Sequence, residues 1–543
     1  MDYETKRIDH LGIVAGICQG IDLIEQVNSV AGASERKVST GQAVQAMVLN
    51  ALGFSSRALY LVPDYWKNKP VEILVGEELK AEDLNDDSLG RSLDDLYEAG
   101  VTEVFAAVAS HALRVEGIKH RFLHLDSSSF HVHGKYETGE EEQDEEDRQV
   151  IEITEGFSKD HRPDLKQAIL TLITSEASNL PVWMEALSGN SNDRKSFPET
   201  VKAYNKQLAG SATPYYVMDS AGYSADNLKT MEKVLWLTRV PETLKDAQEL
   251  VAGTKQEDMV KLEEGYWGKE VVKEYGGIQQ RWLVIYSEAA FCREEKGLER
   301  KQAKELETTQ KEWRKLMQEA YNCQADAEHA AAQFNQRLHY HQVKAEIIAQ
   351  TKYTHAGRPG PDEKPEITGY RLQGEVVANP EALAKVRLRF GKFILATNQM
   401  DAKELSCAEM LSHYKDQGVS VERGFRFLKD PHFFAHSLFL KTPQRLMALM
   451  MVMVTALLVY ALAERKLRLQ LEQENCLVPS QTGKPTKTPT MRWIFQMFEG
   501  IDILLISQDG KIVARQVLNL RPVHLLVIRL LGKSVQNCYS LPP

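Results

Sequence analysis

Three short segments, far apart in the chain, each set a carboxylate beside an apolar run. Arg121-Phe122-Leu123-His124-Leu125-Asp126 and Tyr215-Tyr216-Val217-Met218-Asp219 read as buried strands closed by an aspartate, and Val421-Glu422 reads as opening a helix that carries Lys429. Two aspartates and a glutamate are hard oxygen donors, the type Mg²⁺ prefers. A pair of divalent ions held this way can activate a nucleophile and steady the leaving oxygen of a phosphodiester. Each residue also has an ordinary structural explanation. An aspartate after a strand can cap a turn, and Ser220-Ala221-Gly222 is a sequence that accepts one. In the third segment Ser420 can cap a helix whose Val421, Phe425 and Leu428 form a buried stripe. Glu422, Arg426 and Lys429 repeat that spacing one residue later. They read as a salt-bridge ladder, or as a metal-binding carboxylate with cations reaching for flanking phosphates.

The elements that must position these residues are legible in outline. Residues 1–115 read as a helical domain, for which DNA-end binding and a plain structural bundle both stand. Ser39-Thr40 cap a run with Ala43, Val44, Met47, Val48 and Leu52 at helical spacing, and Asp87-Ser88 lead into Leu89, Leu93, Leu96 and Tyr97. Residues 116–240 turn to strands, at 122–126, 130–133, 150–153, 168–174, 181–186 and 215–218. An acidic run at 140–147 reads as a solvated loop, and a helix starts near Ser224. An aspartate at the carboxyl end of a strand is where α/β sheets place ligands.

Residues 241–385 read as an inserted lobe. It has a strand at 281–286, and then 298–353 contains neither Gly nor Pro. That composition predicts long helices, a hairpin bent around 322–326. Strands resume at 367–377 and 386–397. Residues 386–470 complete the core, and 471–543 form a basic C-terminal region.

Bulk composition narrows the class. An apolar fraction of 43% and a charged fraction of 26% are those of a globular protein. Six cysteines without a Cys-x-x-Cys pair argue against a zinc ribbon or disulfide framework and fit a reducing cytosol. Met1-Asp2-Tyr3-Glu4 lacks the start of a secretory signal. The net charge of −10 is uneven: from Arg387 onward 21 Lys and Arg stand against 12 Asp and Glu, an excess of +9 that leaves −19 on the rest. A basic C-terminal portion suits a phosphate-binding surface. Residues 446–463 carry no charge and reach the lower limit for a membrane span. A helix buried on all sides gives the same pattern, and no membrane is expected. His124, His131 and His133 read as solvent-facing strand histidines rather than zinc ligands. No phosphate-loop or dinucleotide fingerprint is present.

Several strings carry a family resemblance: Leu123-His124-Leu125-Asp126-Ser127-Ser128, Gly156-Phe157-Ser158-Lys159-Asp160-His161-Arg162-Pro163-Asp164-Leu165-Lys166, Asp219-Ser220-Ala221-Gly222-Tyr223-Ser224 and Leu237-Thr238-Arg239-Val240-Pro241. Ser188-Gly189-Asn190 near Asp193 and Val421-Glu422-Arg423-Gly424-Phe425-Arg426-Phe427-Leu428-Lys429-Asp430 complete the set. In this order the chain resembles the DDE insertion-sequence transposases of the YREK superfamily, in particular their sixteen thirty-four type. The resemblance implies an α/β fold with a ribonuclease-H-like mixed sheet, an N-terminal helical domain and an inserted lobe. It implies Asp126, Asp219 and Glu422 as catalytic and metal-binding residues, two Mg²⁺ ions with Mn²⁺ able to substitute, and Lys429, Tyr414 and Arg426 at the DNA. The implied partners are the element's terminal inverted repeats and target DNA, bound by a dimer assembled on DNA ends in a bacterial or archaeal cytosol, associated with the nucleoid. The implied activity is cut-and-paste transposition. The chain departs from the pattern at one place: Gln417 stands where the motif's arginine is expected, and Tyr414 and Glu422 are one residue further apart.

Overall fold

The computed structural model describes all residues except 33–35, 54–61, 133–135, 137–149, 159–161, 177–178, 209–212, 354–363, 431–439, 441, 509–510 and 541–543. Two compact units result: residues 1–238, 275–278 and 409–543, and residues 239–274 and 279–408.

In the first unit, β1 (Asp2–Arg7) pairs antiparallel with strand Asp502–Gln508. The central strands are β2 (Phe122–His131), β3 (Gln167–Ser175), β4 (Leu180–Ser188), β5 (Tyr215–Met218) and β6 (Leu235–Arg239), in the order β4-β3-β2-β5-β6. β2, β3 and β4 form an antiparallel meander, while β5 and β6 add to the other edge of β2 in parallel. This is the mixed sheet expected of a ribonuclease-H-like core. All of β3 is buried, because both its faces are covered.

The helices follow the sequence signals closely. Ser39 and Gln42 form a reciprocal capping box at the start of helix Thr40–Leu52, and Asn85 caps helix Asp86–Glu98. The uncharged run 446–463 lies inside helix Pro443–Gln473, and its side chains are covered by the first unit's own core. Its last turns carry the half-paired charges that such a helix needs. Glu464 is buried, bonds Arg423 and Arg468 at 2.9 Å each, and accepts the Met491 N–H at 3.0 Å.

Several expectations are corrected. Residues 122–126 and 130–131 are one continuous strand, because Ser127 and Ser129 pair with Thr171 and Ile169 of β3. Residues 150–153 form no strand; only Thr154 makes an isolated bridge, to Gln167, while Ile151 and Ile153 are buried as side chains. His133 and the acidic run 140–147 lie outside the described residues.

The second unit holds β7 (Val260–Glu263), β8 (Tyr266–Tyr275), β9 (Ile278–Ser287), β10 (His341–Lys352), β11 (Glu366–Ala378) and β12 (Lys392–Thr397). Helices Glu288–Leu316 and Gln324–Gln336 form the expected hairpin, yet 341–352 is a strand. Absence of Gly and Pro permits a helix without demanding one. Here Val343, Ala345 and Ile347 alternate inward with exposed Lys344 and Glu346, and Val343 joins Leu372, Trp313 and Phe334 in a small core. Residues 386–391 are likewise no strand: Asn379 caps helix Pro380–Arg387, and β12 starts only at Lys392. Arg281 is buried against Glu270 and donates to the carbonyls of Gln399 and Leu405 at 3.2 and 2.8 Å.

His10 ties the amino-terminal helices to the carboxyl-terminal ones. Its ring stacks on Phe495 at 4.4 Å, its Nε2 lies 2.8 Å from the Leu52 carbonyl, and burial pushes its pKa down from 6.5 to about 4. Above the unfolded value both states are neutral. As pH falls below it the unfolded chain takes up a proton that the folded one refuses. Stability is therefore complete above about pH 6.5 and is lost between there and about 4, by about 3 kcal/mol. Urea unfolding across that range should show the loss, and His10→Gln should remove its own share while that of the equally shifted His124 remains.

Candidate active site

The parallel register of β2 and β5 pairs Phe122 with Tyr215, Leu123 with Tyr216 and His124 with Val217. The pairing ends there, two residues before Asp126 on β2 and two before Asp219, which follows β5. Alternation puts Phe122, His124 and Asp126 on one face of β2. The rings of Phe122 and Tyr215 stack at 4.9 Å, so the matching face of β5, Tyr215, Val217 and Asp219, is the same side of the sheet. Both aspartates are half-buried.

Each carboxylate is oriented by a main-chain donor. Oδ1 of Asp126 accepts the Ser127 N–H at 2.8 Å, and Oδ1 of Asp219 accepts the Ala221 N–H at 2.8 Å. Asp219 thus caps the 3-10 turn Ser220–Gly222, and Thr238 Oγ1 donates to its carbonyl at 2.8 Å. Turn-capping and site placement are compatible there. Asp126 caps no turn, since β2 runs on to His131. It stands just past the last parallel pair with β5, while its other edge stays bonded to β3 opposite Leu172.

Helix Cys407–Leu428 runs alongside β2. His413 stacks on Phe122 at 3.5 Å, Gln417 Nε2 donates to the Leu125 carbonyl at 3.4 Å, and Lys429 Nζ sits 5.5 Å from the Phe130 ring centre. These contacts follow the order of β2, so the helix passes Asp126 on the side that Phe122 and Phe130 face. Glu422 falls between the second and third contacts and is exposed, while Val421, Phe425 and Leu428 are buried as their spacing predicts. The helix starts at Cys407, so Ser420 does not cap it and Glu422 does not open it. Tyr414, Gln417, Glu422 and Arg426 share this one helix, and Lys429 follows its end.

Asp126 and Asp219 thus follow paired stretches of neighbouring strands, and Glu422 lies on helix Cys407–Leu428. Among the described residues, no three His, Cys, Asp or Glu side chains are gathered tightly enough to hold a metal ion. The donor chemistry of the three carboxylates is of the type that Mg²⁺ prefers.

Other expected residues have different surroundings. His124 is fully buried rather than solvent-facing, because His413 and Phe122 cover its face; burial, with neighbouring His413 adding to it, lowers its pKa to about 4. His131 is on the opposite face of β2, with Nε2 3.2 Å from Ser158 Oγ. Arg426 lines a cleft of about 250 Å³ with Arg423, Phe427, Tyr460, Glu464 and Arg492, apart from the contact that Lys429 makes. Tyr414 is half-buried. Sequence reasoning missed His413 as a contact and Gln417 as a tether. Their spacing of four from each other and from Val421 is the signal that could have found them.

Residues 117–352 match the family model described as the transposase DDE domain, and residues 3–110 match a domain of unknown function, DUF4277. No curated protein matches the chain. Among solved structures, the chain is similar to the piggyBac transposase synaptic complex with hairpin DNA, at 9% identity over 92% of this chain and 82% of that one, with a TM-score of 0.37. A likeness that loose bears on neither the site nor its chemistry.

Gln417 holds the helix to the strand that carries Asp126. Gln417→Ala should destabilise the protein by about 1 kcal/mol, the size of one hydrogen bond. Gln417→Glu should cost more, because it places a second negative charge against the same strand. Urea midpoints of the two variants check the order.

Proposed function

We propose that the chain is a DNA transposase of the DDE type, in which Asp126, Asp219 and Glu422 act together on a phosphodiester at the ends of a mobile element. The reading rests on the match of residues 117–352 to the transposase DDE domain and on one geometric observation inside that stretch: β2 and β5 pair in parallel up to His124 and Val217, each two residues before its aspartate. Glu422 lies beyond the matched stretch, on the helix that runs past them.

The chemistry follows from the residue types. Bound divalent ions, Mg²⁺ or Mn²⁺, supply a lowered pKa for the attacking water and charge for the leaving oxygen. In this reading Asp126 and Asp219 would hold the ions from the sheet, and Glu422 from the helix. Water as nucleophile cuts the strand; the freed 3′-hydroxyl then attacks target DNA, so no side-chain nucleophile is needed. Lys429, at the end of the same helix and beside Phe130, is positioned to meet a phosphate flanking the scissile one. Arg426 and Tyr414 add further contacts along the helix. Two copies assembled on the paired ends, in the cytosol, complete the proposal, with the YREK superfamily and its sixteen thirty-four type as the finer assignment. A nuclease that cuts without joining is the second reading. It is favoured by Gln417, which stands at the arginine's place and points to a strand carbonyl rather than outward.

Incubation with the inverted repeats flanking the gene and Mg²⁺ tests this directly. End cleavage followed by joining is expected, and cleavage alone would favour the second reading. Asp126→Asn, Asp219→Asn and Glu422→Gln should each keep the unfolding midpoint and lower cleavage by at least about a hundredfold. Removal of divalent ions should abolish cleavage reversibly. Lys429→Ala should weaken end binding and lower the salt slope by about one unit, as loss of one phosphate contact requires. An unchanged slope would remove Lys429 from the interface.

A further inference from the structure

Helix Glu288–Leu316 of the second unit carries eight cations and seven glutamates, and it uses the two signs differently. Its buried side is set by Leu298, Thr309 and Trp313. At about 100° per residue, Arg293, Arg300, Lys304, Lys311 and Lys315 fall within about 60° of one another on the opposite side. Lys296, Lys301 and Arg314 flank this stripe, and all eight residues are exposed. Among the described residues, Lys311 alone of the eight has an ion-pair partner, Glu307 at 2.7 Å.

The other glutamates are spent on the fold. Glu294 accepts the Gly391 N–H at 2.8 Å, Glu295 bonds Arg387 at 2.6 Å and Glu312 bonds Arg337 at 3.1 Å. Glu305 accepts the N–H groups of His339 and Tyr340 at 2.9 and 2.8 Å. A helix face that merely stays in water mixes the signs, with acids and bases four residues apart bonding each other. Here acids tie the helix to its own unit and the bases are left outward, on a chain whose net charge is −10. Arg300 and Lys304 stand four apart, as do Lys311 and Lys315, so each pair repels until an anion comes between them. From Arg293 to Lys315 the stripe runs about 33 Å at about 1.5 Å per residue. One turn of duplex DNA is about 34 Å. A compact anion needs cations gathered at a point, whereas a row of this length fits a linear polyanion.

We propose that this face of helix Glu288–Leu316 binds the phosphate backbone of duplex DNA, by charge and without reading sequence. The choice of DNA rests on the transposase reading above. Phosphate contacts position a duplex and carry no sequence information. The stripe thus gives the second unit a binding role that needs none of Asp126, Asp219 or Glu422.

The test measures binding of the full-length protein across a salt series to two duplexes. One carries the inverted repeat that flanks the gene, and the other has that sequence scrambled. Arg300→Gln, Lys304→Gln and Lys315→Gln together remove three exposed, unpaired charges, so the urea unfolding midpoint should not fall. The triple variant should lower the salt slope by about two to three units and weaken both duplexes by the same factor, at least about tenfold. Glu307→Gln, which frees Lys311, should strengthen binding to both. A wild-type slope in the triple variant refutes the helix interface, and end cleavage by the same protein would leave the transposase reading intact. A loss confined to the inverted repeat means that the stripe reads sequence, and the proposal falls. If the triple variant alters only self-association, the stripe meets an acidic surface of a second copy, and the proposal falls. If the wild type binds neither duplex, both readings fall together.

Discussion

The parallel pairing of β2 with β5 is the constraint on which the candidate site depends. The side-chain period of a strand is two, so a slip of one residue would turn Asp126 and Asp219 to opposite faces. The register is held by what surrounds it rather than by the aspartates. Phe122 and Tyr215 stack across the pair, His413 stacks on Phe122 from the helix above, and β3 grips the far edge of β2 along nine residue pairs. The carboxylates follow the end of this pairing: β5 gives way to the turn at Ser220, and β2 continues past Asp126 bonded to β3.

The helix Cys407–Leu428 meets the strand through side chains of very different kinds. An imidazole stack, an amide-to-carbonyl bond and an ammonium over a ring each fix one level of the helix against β2. None of these is strong alone. Together with the buried Val421, Phe425 and Leu428 they leave the helix little freedom to rotate, and so determine which flank Glu422 occupies. The burial that makes this packing possible also keeps His124 neutral, since a charged imidazole beneath His413 would have no counter-ion at hand.

The uneven charge of the chain has a partly internal destination. Arg445 bonds Asp94 and Lys466 bonds Glu116. Two cations of the basic carboxyl-terminal portion therefore neutralise acids from the amino-terminal part of their own unit, and the excess that could face phosphate is smaller than the count suggests. Exposed pairs of this kind contribute little stability, about 0–1 kcal/mol each. Their effect is to place helix Pro443–Gln473, with its uncharged middle, against the amino-terminal helices.

The sequence by itself determined the residue chemistry and most elements. Capping signals at Ser39 and Ser224, the apolar runs of β3, β4 and β5, and the helices of the stretch after 288 all depend on local preferences, which neighbours in the chain reveal. The two aspartates stood out as acids beside apolar runs, although each also suits an ordinary turn. Other features were settled only by tertiary structure. Asp126 lies inside a strand because β3 pairs with the serines after it, and 341–352 is a strand because Trp313 and Phe334 offer its alternate side chains a core. Ser420 sits mid-helix because the stripe of His413, Gln417 and Val421 packs on β2. Local sequence fixes what a segment can form, but partners distant in the chain decide which surfaces are covered. The parallel pairing of β2 with β5, whose aspartates are 93 residues apart, is that kind of fact: a register between strands, which neither strand contains alone.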